Sequence, residues 1–455
     1  MSTVIQLAIV LGIMVLVHEF GHFAAAKLCG VRVETFSVGM GKRLFGFRHG
    51  DTDYRLSILP IGGYVKMAGD TPGEPTTGDP GEFNAHPRWQ RVIIALAGPV
   101  ANFILAFALM TGVSMLHNEV QEYIDGPAQT DYVPASSRVA HTGIYSGDLI
   151  VHYDTIENPT WDQVLIRSLL NLNRDVPFSF LHDGQRTDTT LFVESKEGAE
   201  NFSPGKLGLI PRAQNTPVQV AELDPDMPAA HAGLQPKDEI ATIDGLQLHS
   251  VDALLSYLQD QAGKPAALSI LRPGVNGAPA QTLSVQLTPQ LAKSSDGTDR
   301  YRIGFLPVQP PVKVEKLPLG KAMAASWKVN LKYASLIVEV VKGMFTRHVS
   351  VRNLSGPIGI GQQVHQAVEM PGWMPIIGLM AYISINLGIF NLLPFPILDG
   401  GMISFLAIES IIRRDINQEI KERIMQVALV CLLIFGALVI FNDLSKLTIF
   451  SKLKL

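Results

Sequence analysis

Cysteine is nearly absent from this chain of 455 residues: only Cys29 and Cys431 occur, so no disulfide framework organises the fold. Both lie in or beside apolar runs and read as small buried hydrophobes. Charge is also scarce. Only 17% of residues are Asp, Glu, Lys or Arg, against 47% hydrophobic, and the net charge is −4. Without a basic excess, nothing points to nucleic acid. The first six residues hold no Lys or Arg, so the apolar start lacks the basic head of a cleaved signal peptide. Leu28-Cys29 loosely matches a lipoprotein junction, but Lys27 stands where a small or apolar residue is wanted. The segment is expected to be a retained membrane span, and the length leaves room for several domains.

Four apolar segments are long enough to cross a bilayer, which takes about 20 helical residues. They are Thr3 to Lys27, Val92 to Leu116, Gly372 to Leu398 and Ile424 to Asn442. The segment Leu319 to Phe345 mixes Lys321, Lys328, Lys332, Glu339 and Lys342 with Met323, Trp327, Leu331, Ile337 and Val341. That pattern suits an amphipathic helix on the membrane surface, or equally one packed on a soluble domain. Lys and Arg concentrate between Cys29 and Arg91 and again in Arg413, Arg414, Lys421 and Arg423. By the positive-inside rule both loops are cytoplasmic, so the long middle segment and both ends lie outside.

Within the first apolar segment sits His18-Glu19-Phe20-Gly21-His22. On a helix this spacing stacks two imidazoles one turn apart on one face. The pair suits one zinc ion, with Glu19 free to handle the proton of a water. Ionisable groups inside an apolar span are costly and point to function. A catalytic zinc usually has a third protein ligand. The leading candidate is Asp399, in Asn391-Leu392-Leu393-Pro394-Phe395-Pro396-Ile397-Leu398-Asp399-Gly400-Gly401, where two prolines break the end of the third span. Taken alone, Asp-Gly is more often a turn.

The middle of the chain contains a repeat. Ala140-His141-Thr142-Gly143 through Gly147-Asp148-Leu149-Ile150 aligns with Ala230-His231-Ala232-Gly233 through Lys237-Asp238-Glu239-Ile240, with Asp154 and Asp244 following each. The offset is about one small domain. The second copy resembles a PDZ domain of the bacterial protease type, apart from Lys237 at a usual glycine position. Such domains bind peptides by strand addition. Here the pair is expected either to contact exported peptides or to act as a steric cover.

Together these motifs resemble the site-2 protease family of intramembrane zinc metalloproteases, peptidase family M50. His18 to His22 matches its first motif, Gly98-Pro99-Val100-Ala101-Asn102 its GPxxN feature, and Asn391 to Gly400 its NxxPxPxLDG motif. Met402 departs from the family's frequent His. The resemblance implies Zn²⁺ held by His18, His22 and Asp399, with Glu19 as base. It implies that Asn391 holds the substrate backbone or oxyanion, and that Gly39, Met40, Gly41 and Asn102 contact substrate. It also implies a re-entrant β-structure over residues 33 to 67, able to hold an unwound substrate as an added strand; the plain alternative is a cytoplasmic hairpin. The implied substrates are single-span membrane proteins already trimmed outside, an anti-sigma factor and signal peptide remnants. The implied location is a bacterial inner membrane, with the active site toward the cytoplasm and the PDZ-like pair periplasmic.

The fold class expected is therefore a multi-span α-helical membrane protein with four transmembrane helices, a membrane-associated β-region and two tandem PDZ-like α+β domains. The expected order is span one (1–28), β-region (29–91), span two (92–117), two PDZ-like domains (118–215 and 216–312), surface helix and linker (313–371), span three (372–411), a loop (412–423), span four (424–443) and a tail (444–455). The competing reading is a catalytically inactive PDZ scaffold, which would have no need of Glu19. A metal transporter is weaker, since four spans show no inverted repeat.

Overall fold

The computed structural model describes residues 3–70, 77–120, 123–194, 204–274, 279–293, 299–308, 313–345, 356–370 and 372–446. Its helices are α1 (Thr3–Cys29), α2 (Arg88–Leu116), α3 (Trp161–Leu170), α4 (Pro204–Leu207), α5 (Pro228–His231), α6 (Val251–Asp260), α7 (Leu319–Phe345), α8 (Pro357–Glu369), α9 (Met374–Asn391), α10 (Asp399–Ile412) and α11 (Gln418–Lys446). The chain divides into two compact units, a helical one and one spanning Glu119–Lys313.

In the helical unit, Ile5–Cys29, Arg88–Leu116, Met374–Asn391 and Gln418–Leu444 are long and apolar enough to cross a membrane. The third ends earlier than the apolar run predicts. Its helix stops at Asn391 because Pro394 and Pro396 cannot continue the backbone ladder, and a new helix, α10, begins at Asp399. The linker between them is tight. A Cβ on Gly400 would stand 2.3 Å from the carbonyl oxygens of Leu392 and Leu393, and one on Gly401 2.1 Å from that of Phe395.

Small residues let α1 and α2 cross closely: a Cβ on Gly21 would lie 2.3 Å from the Ala97 oxygen. Val10 and Met14 of α1 pack on Val364 of α8 and Ile383 of α9. The helix over Leu319–Phe345 does not lie alone on a surface. Ser326 donates to the Phe107 carbonyl at 2.9 Å, Tyr333 meets Tyr382 edge-on, and Ile337 packs with Ala106, Ala381 and Ile385. Its other face exposes Leu319, Met323, Trp327, Leu331 and Val338. Helix α8 interrupts what the sequence suggests is linker. Cys431 is exposed on α11 and Cys29 half-buried, so neither is the buried hydrophobe expected.

Strands β1 (Val33–His49) and β2 (Thr52–Met67) pair in an irregular register. Residues 33–38 have partners both in 63–67 and in 53–56, and 53–56 also pair with 45–48. The ribbon thus curls on itself, and 63–67 forms an outer edge. The turns use Gly39, Gly41 and Gly62, all with positive φ. The inner half alternates buried and half-buried residues, whereas every residue from Met40 to Gly50 is exposed, including Leu44, Phe45 and Phe47.

The second unit realises the repeat. Strand Leu149–Tyr153 corresponds to Glu239–Ile243, and α3 to α6, both at the offset seen in sequence. The first copy builds a sheet of Ile156–Glu157, Leu149–Tyr153, Asp175–His182 and Gln185–Phe192; the second builds a five-stranded sheet. Thr160 and Ser250 cap the two helices with side-chain oxygens. Asp148 and Asp238 each accept from the amide three residues earlier. Asp154 and Asp244 share a left-handed backbone, and Gly147 (φ 93°) is matched by Lys237 (φ 77°). The copies also share contacts: buried Asp131 accepts from the amides of His249 and Ser250 at the start of α6, and Tyr132 donates to Asp260.

Candidate active site

Helix α1 carries His18 and His22 on the face turned to α2 and α10, and the broken end of the third span brings Asp399 to them. Nε2 of His18 lies 3.1 Å from Asp399 Oδ2, Nε2 of His22 lies 3.4 Å from it, and the two Nε2 atoms are 3.2 Å apart. Both imidazoles are buried. Asp399 opens α10, where the helix dipole favours a carboxylate. Its buried Oδ2 has these two ring nitrogens beside it, yet neither meets it in hydrogen-bond alignment.

This donor set fits zinc. Donors at about 2.0–2.2 Å from a tetrahedral ion stand about 3.3–3.6 Å apart, and two imidazoles with one carboxylate leave the fourth position open. The three observed separations fall near that spacing. Two ring nitrogens turned toward each other and toward an orphaned carboxylate oxygen are otherwise costly to bury.

The shell around these groups is built by α2. His22 Nδ1 donates to the Ile94 carbonyl at 2.8 Å, which turns its Nε2 lone pair toward the cluster. Gly98 is required there: a Cβ would stand 2.3 Å from His22 Nε2. The amide of Asn102 lies 3.1 Å from His18 Nδ1. Glu19 is half-buried, and its Oε2 accepts from the Val65 amide at 3.1 Å. The outer edge of the β-ribbon therefore borders the cluster.

The other residues singled out from sequence are distributed differently. Asn391 is near, its Nδ2 3.4 Å from His18 Nε2. Asn102 is fully buried against the imidazole rather than facing a groove. Gly39, Met40 and Gly41 form a bend of the ribbon, with Met40 exposed. Ile94, Gly98 as a spacer and Val65 were missed, because two of them act through backbone atoms that carry no side-chain signal. A cavity of about 170 Å³ also reaches Asp399. Its wall includes Asp70, Asn84, Arg91, Gln418 and Lys421.

A metal-binding HExxH helix, a distant carboxylate and a base among membrane-length helices define a membrane metallohydrolase. The chain belongs to peptidase family M50: the sequence profile of that family matches residues 6–435. It is a zinc metalloprotease. The chain is 33% identical to Regulator of sigma-E protease RseP of Salmonella typhimurium (strain 14028s), covering 96% of this chain and 97% of that protein. It is 32% identical to the protein of the same name from Escherichia coli K12, over 96% and 97%. A putative zinc metalloprotease of Vibrio cholerae is 31% identical over 97% and 98%. The inactive scaffold is not favoured. Among solved structures, the PDZ domain of an SdrC-like protein from Listeria monocytogenes is 24% identical and covers 21% of this chain and 90% of its own; its TM-score of 0.16 carries no argument.

Proposed function

We propose that this chain hydrolyses a peptide bond within the membrane-spanning segment of single-span proteins already trimmed on the outer side. The substrate class is that of an anti-sigma factor in envelope stress signalling, with signal peptide remnants as a second group. The observation that carries this reading is the convergence of His18, His22 and Asp399 on helices of membrane-spanning length. The sigma-E regulators among its relatives support the signalling role.

His18, His22 and Asp399 hold Zn²⁺, which when bound lowers the pKa of its water to about 7 and polarises the scissile carbonyl. Glu19 accepts the proton of the attacking water and returns one to the leaving amine. The Val65 amide aims the Glu19 carboxylate. Asn391, beside His18, holds the substrate carbonyl. The 63–67 edge receives the unwound segment as an added strand, and the Gly39-Met40-Gly41 bend lines its path. A helical peptide bond is shielded by its own hydrogen bonds, so strand addition supplies the unwinding that hydrolysis needs. Water arrives through the cavity at Asp399, whose largely apolar wall carries Asp70, Asn84, Arg91, Gln418 and Lys421.

The Lys- and Arg-rich loops support an active site toward the cytoplasm and PDZ-like copies on the outer side of a bacterial inner membrane. There the two PDZ-like copies bar substrates with bulky outer domains or contact exported peptides. The test is cleavage in proteoliposomes of a single-span reporter, trimmed and untrimmed, with products mapped by mass spectrometry. Cuts inside the apolar segment of the trimmed form alone fit the proposal. Cuts only in the flanking soluble sequence contradict it.

A further inference from the structure

We propose that Asn102 is a positioning residue that fixes the tautomer of His18 by accepting its Nδ1 proton. The inference rests on the zinc reading above. Ile94, Gly98 and Asn102 recur every four residues along α2 and so share one face. That face meets His22 and His18 of α1. Each ring must present an Nε2 lone pair to the common centre, so each must carry its proton on Nδ1. His22 delivers that proton to the Ile94 carbonyl at 2.8 Å. Among the described residues no backbone carbonyl bonds to Nδ1 of His18; the atom there is Nδ2 of Asn102, at 3.1 Å.

Of the two ends of an amide, only Oδ1 accepts. The structure sets Nδ2 of Asn102 at that distance and leaves Oδ1 buried without a hydrogen-bond partner among the described residues. The two ends exchange by a half-turn of the amide, and the turned amide gives His18 an acceptor, doing with a side chain what Ile94 does with its backbone. Asn102 is itself held: it is fully buried, and Ser384 of α9 donates to its main-chain carbonyl at 2.9 Å. A side chain so enclosed has no surface to offer a substrate, whereas its influence on the ring is direct. The expected consequence is on metal affinity, not on substrate recognition.

The test measures zinc affinity by chelator competition on the full-length protein in detergent, for wild type, Asn102→Leu and Asn102→Asp, with thermal unfolding of the zinc-free forms as a control. Leu has nearly the size of Asn but no acceptor; Asp keeps the acceptor. Asn102→Leu is expected to bind zinc about 10–100-fold more weakly, the usual cost of removing such a partner, while Asn102→Asp stays within a few-fold of wild type. Wild-type affinity in Asn102→Leu overturns the inference. If the Leu variant does not fold, the Asp variant decides: a loss of zinc there means that Asn102 serves as a donor, and the proposal fails. A wild type that binds no zinc overturns the metal reading itself, a separate result.

Discussion

Glu19 and Val65 stand 46 positions apart in sequence, yet the carboxylate of one accepts the backbone amide of the other at 3.1 Å. The bond joins the HExxH helix to the outer edge of the β-ribbon. Because this amide points away from the ribbon, proline at 65 removes the bond without removing a sheet hydrogen bond. A hydrogen bond to a charged group is worth about 1.5–3 kcal/mol, or roughly ten- to a hundredfold. Val65→Pro is expected to lower turnover by that factor and leave zinc content unchanged. Steady-state kinetics with metal analysis checks it.

Gly98 is a second point of contact. A methyl group there would overlap the His22 ring, where α1 and α2 already approach closely at Gly21 and Ala97. Gly98→Ala is therefore expected to displace His22 and lose zinc, with α2 still helical by circular dichroism. Full metal occupancy would show that the ring has another place to go.

Lys237 has φ 77°, where its counterpart in the first copy is Gly147. Holding a side chain in the left-handed region costs about 1–2 kcal/mol. Lys237→Gly removes that strain but adds freedom to the unfolded chain. The net expectation is a stabilisation of about 1 kcal/mol or less, measured as slower amide exchange in the strand Glu239–Ile243 that follows.

The contact between the copies should weaken in acid. Partial burial pushes the Asp260 carboxyl up, but hydrogen bonds from the Ser136 hydroxyl, the Ala135 amide and the Tyr132 hydroxyl outweigh it and hold it below its ordinary value. A group whose folded pKa is depressed stabilises above its unfolded pKa and loses that contribution as pH falls through the folded one. Protection of α6 amides is expected to be constant above about pH 4 and to fall below it. Asp260→Asn should lack that part of the dependence.

Much of this was legible in the chain. His18, Glu19 and His22 stand out because the helical HExxH spacing falls inside an apolar span. Asp399 could be picked out because two prolines and an acidic residue at membrane depth have few innocent uses. The repeat led to two copies with strands and helices at matching positions, and the β-structure expected over residues 33 to 67 is built by β1 and β2. What was hidden depends on backbone atoms and on empty space. The Ile94 carbonyl and the Val65 amide carry no pattern that a sequence displays, and the glycine of the GPxxN feature does not reveal that it makes room for His22. The resemblance marked Asn102 through the GPxxN feature, but its neighbour His18 lies on another helix, so the sequence did not show the two together. The helix at Pro357–Glu369 escaped notice because its apolar positions are diluted by Gln362, Gln363, His365 and Gln366. The packing of α7 on α2 and α9 was hidden because it uses small residues, Ala322 and Ser326, together with Ile337, while Trp327 and Leu331 stay exposed.

The central claim is that His18, His22 and Asp399 hold a zinc whose water Glu19 deprotonates. The most direct measurement compares wild type, Glu19→Gln and chelator-treated protein for cleavage of a trimmed single-span reporter, with zinc quantified in each. The account predicts cleavage by untreated wild type alone and wild-type zinc content in Glu19→Gln, whose turnover falls by at least about 10²–10⁴-fold. Undiminished cleavage by Glu19→Gln, or by the protein freed of zinc, would contradict it.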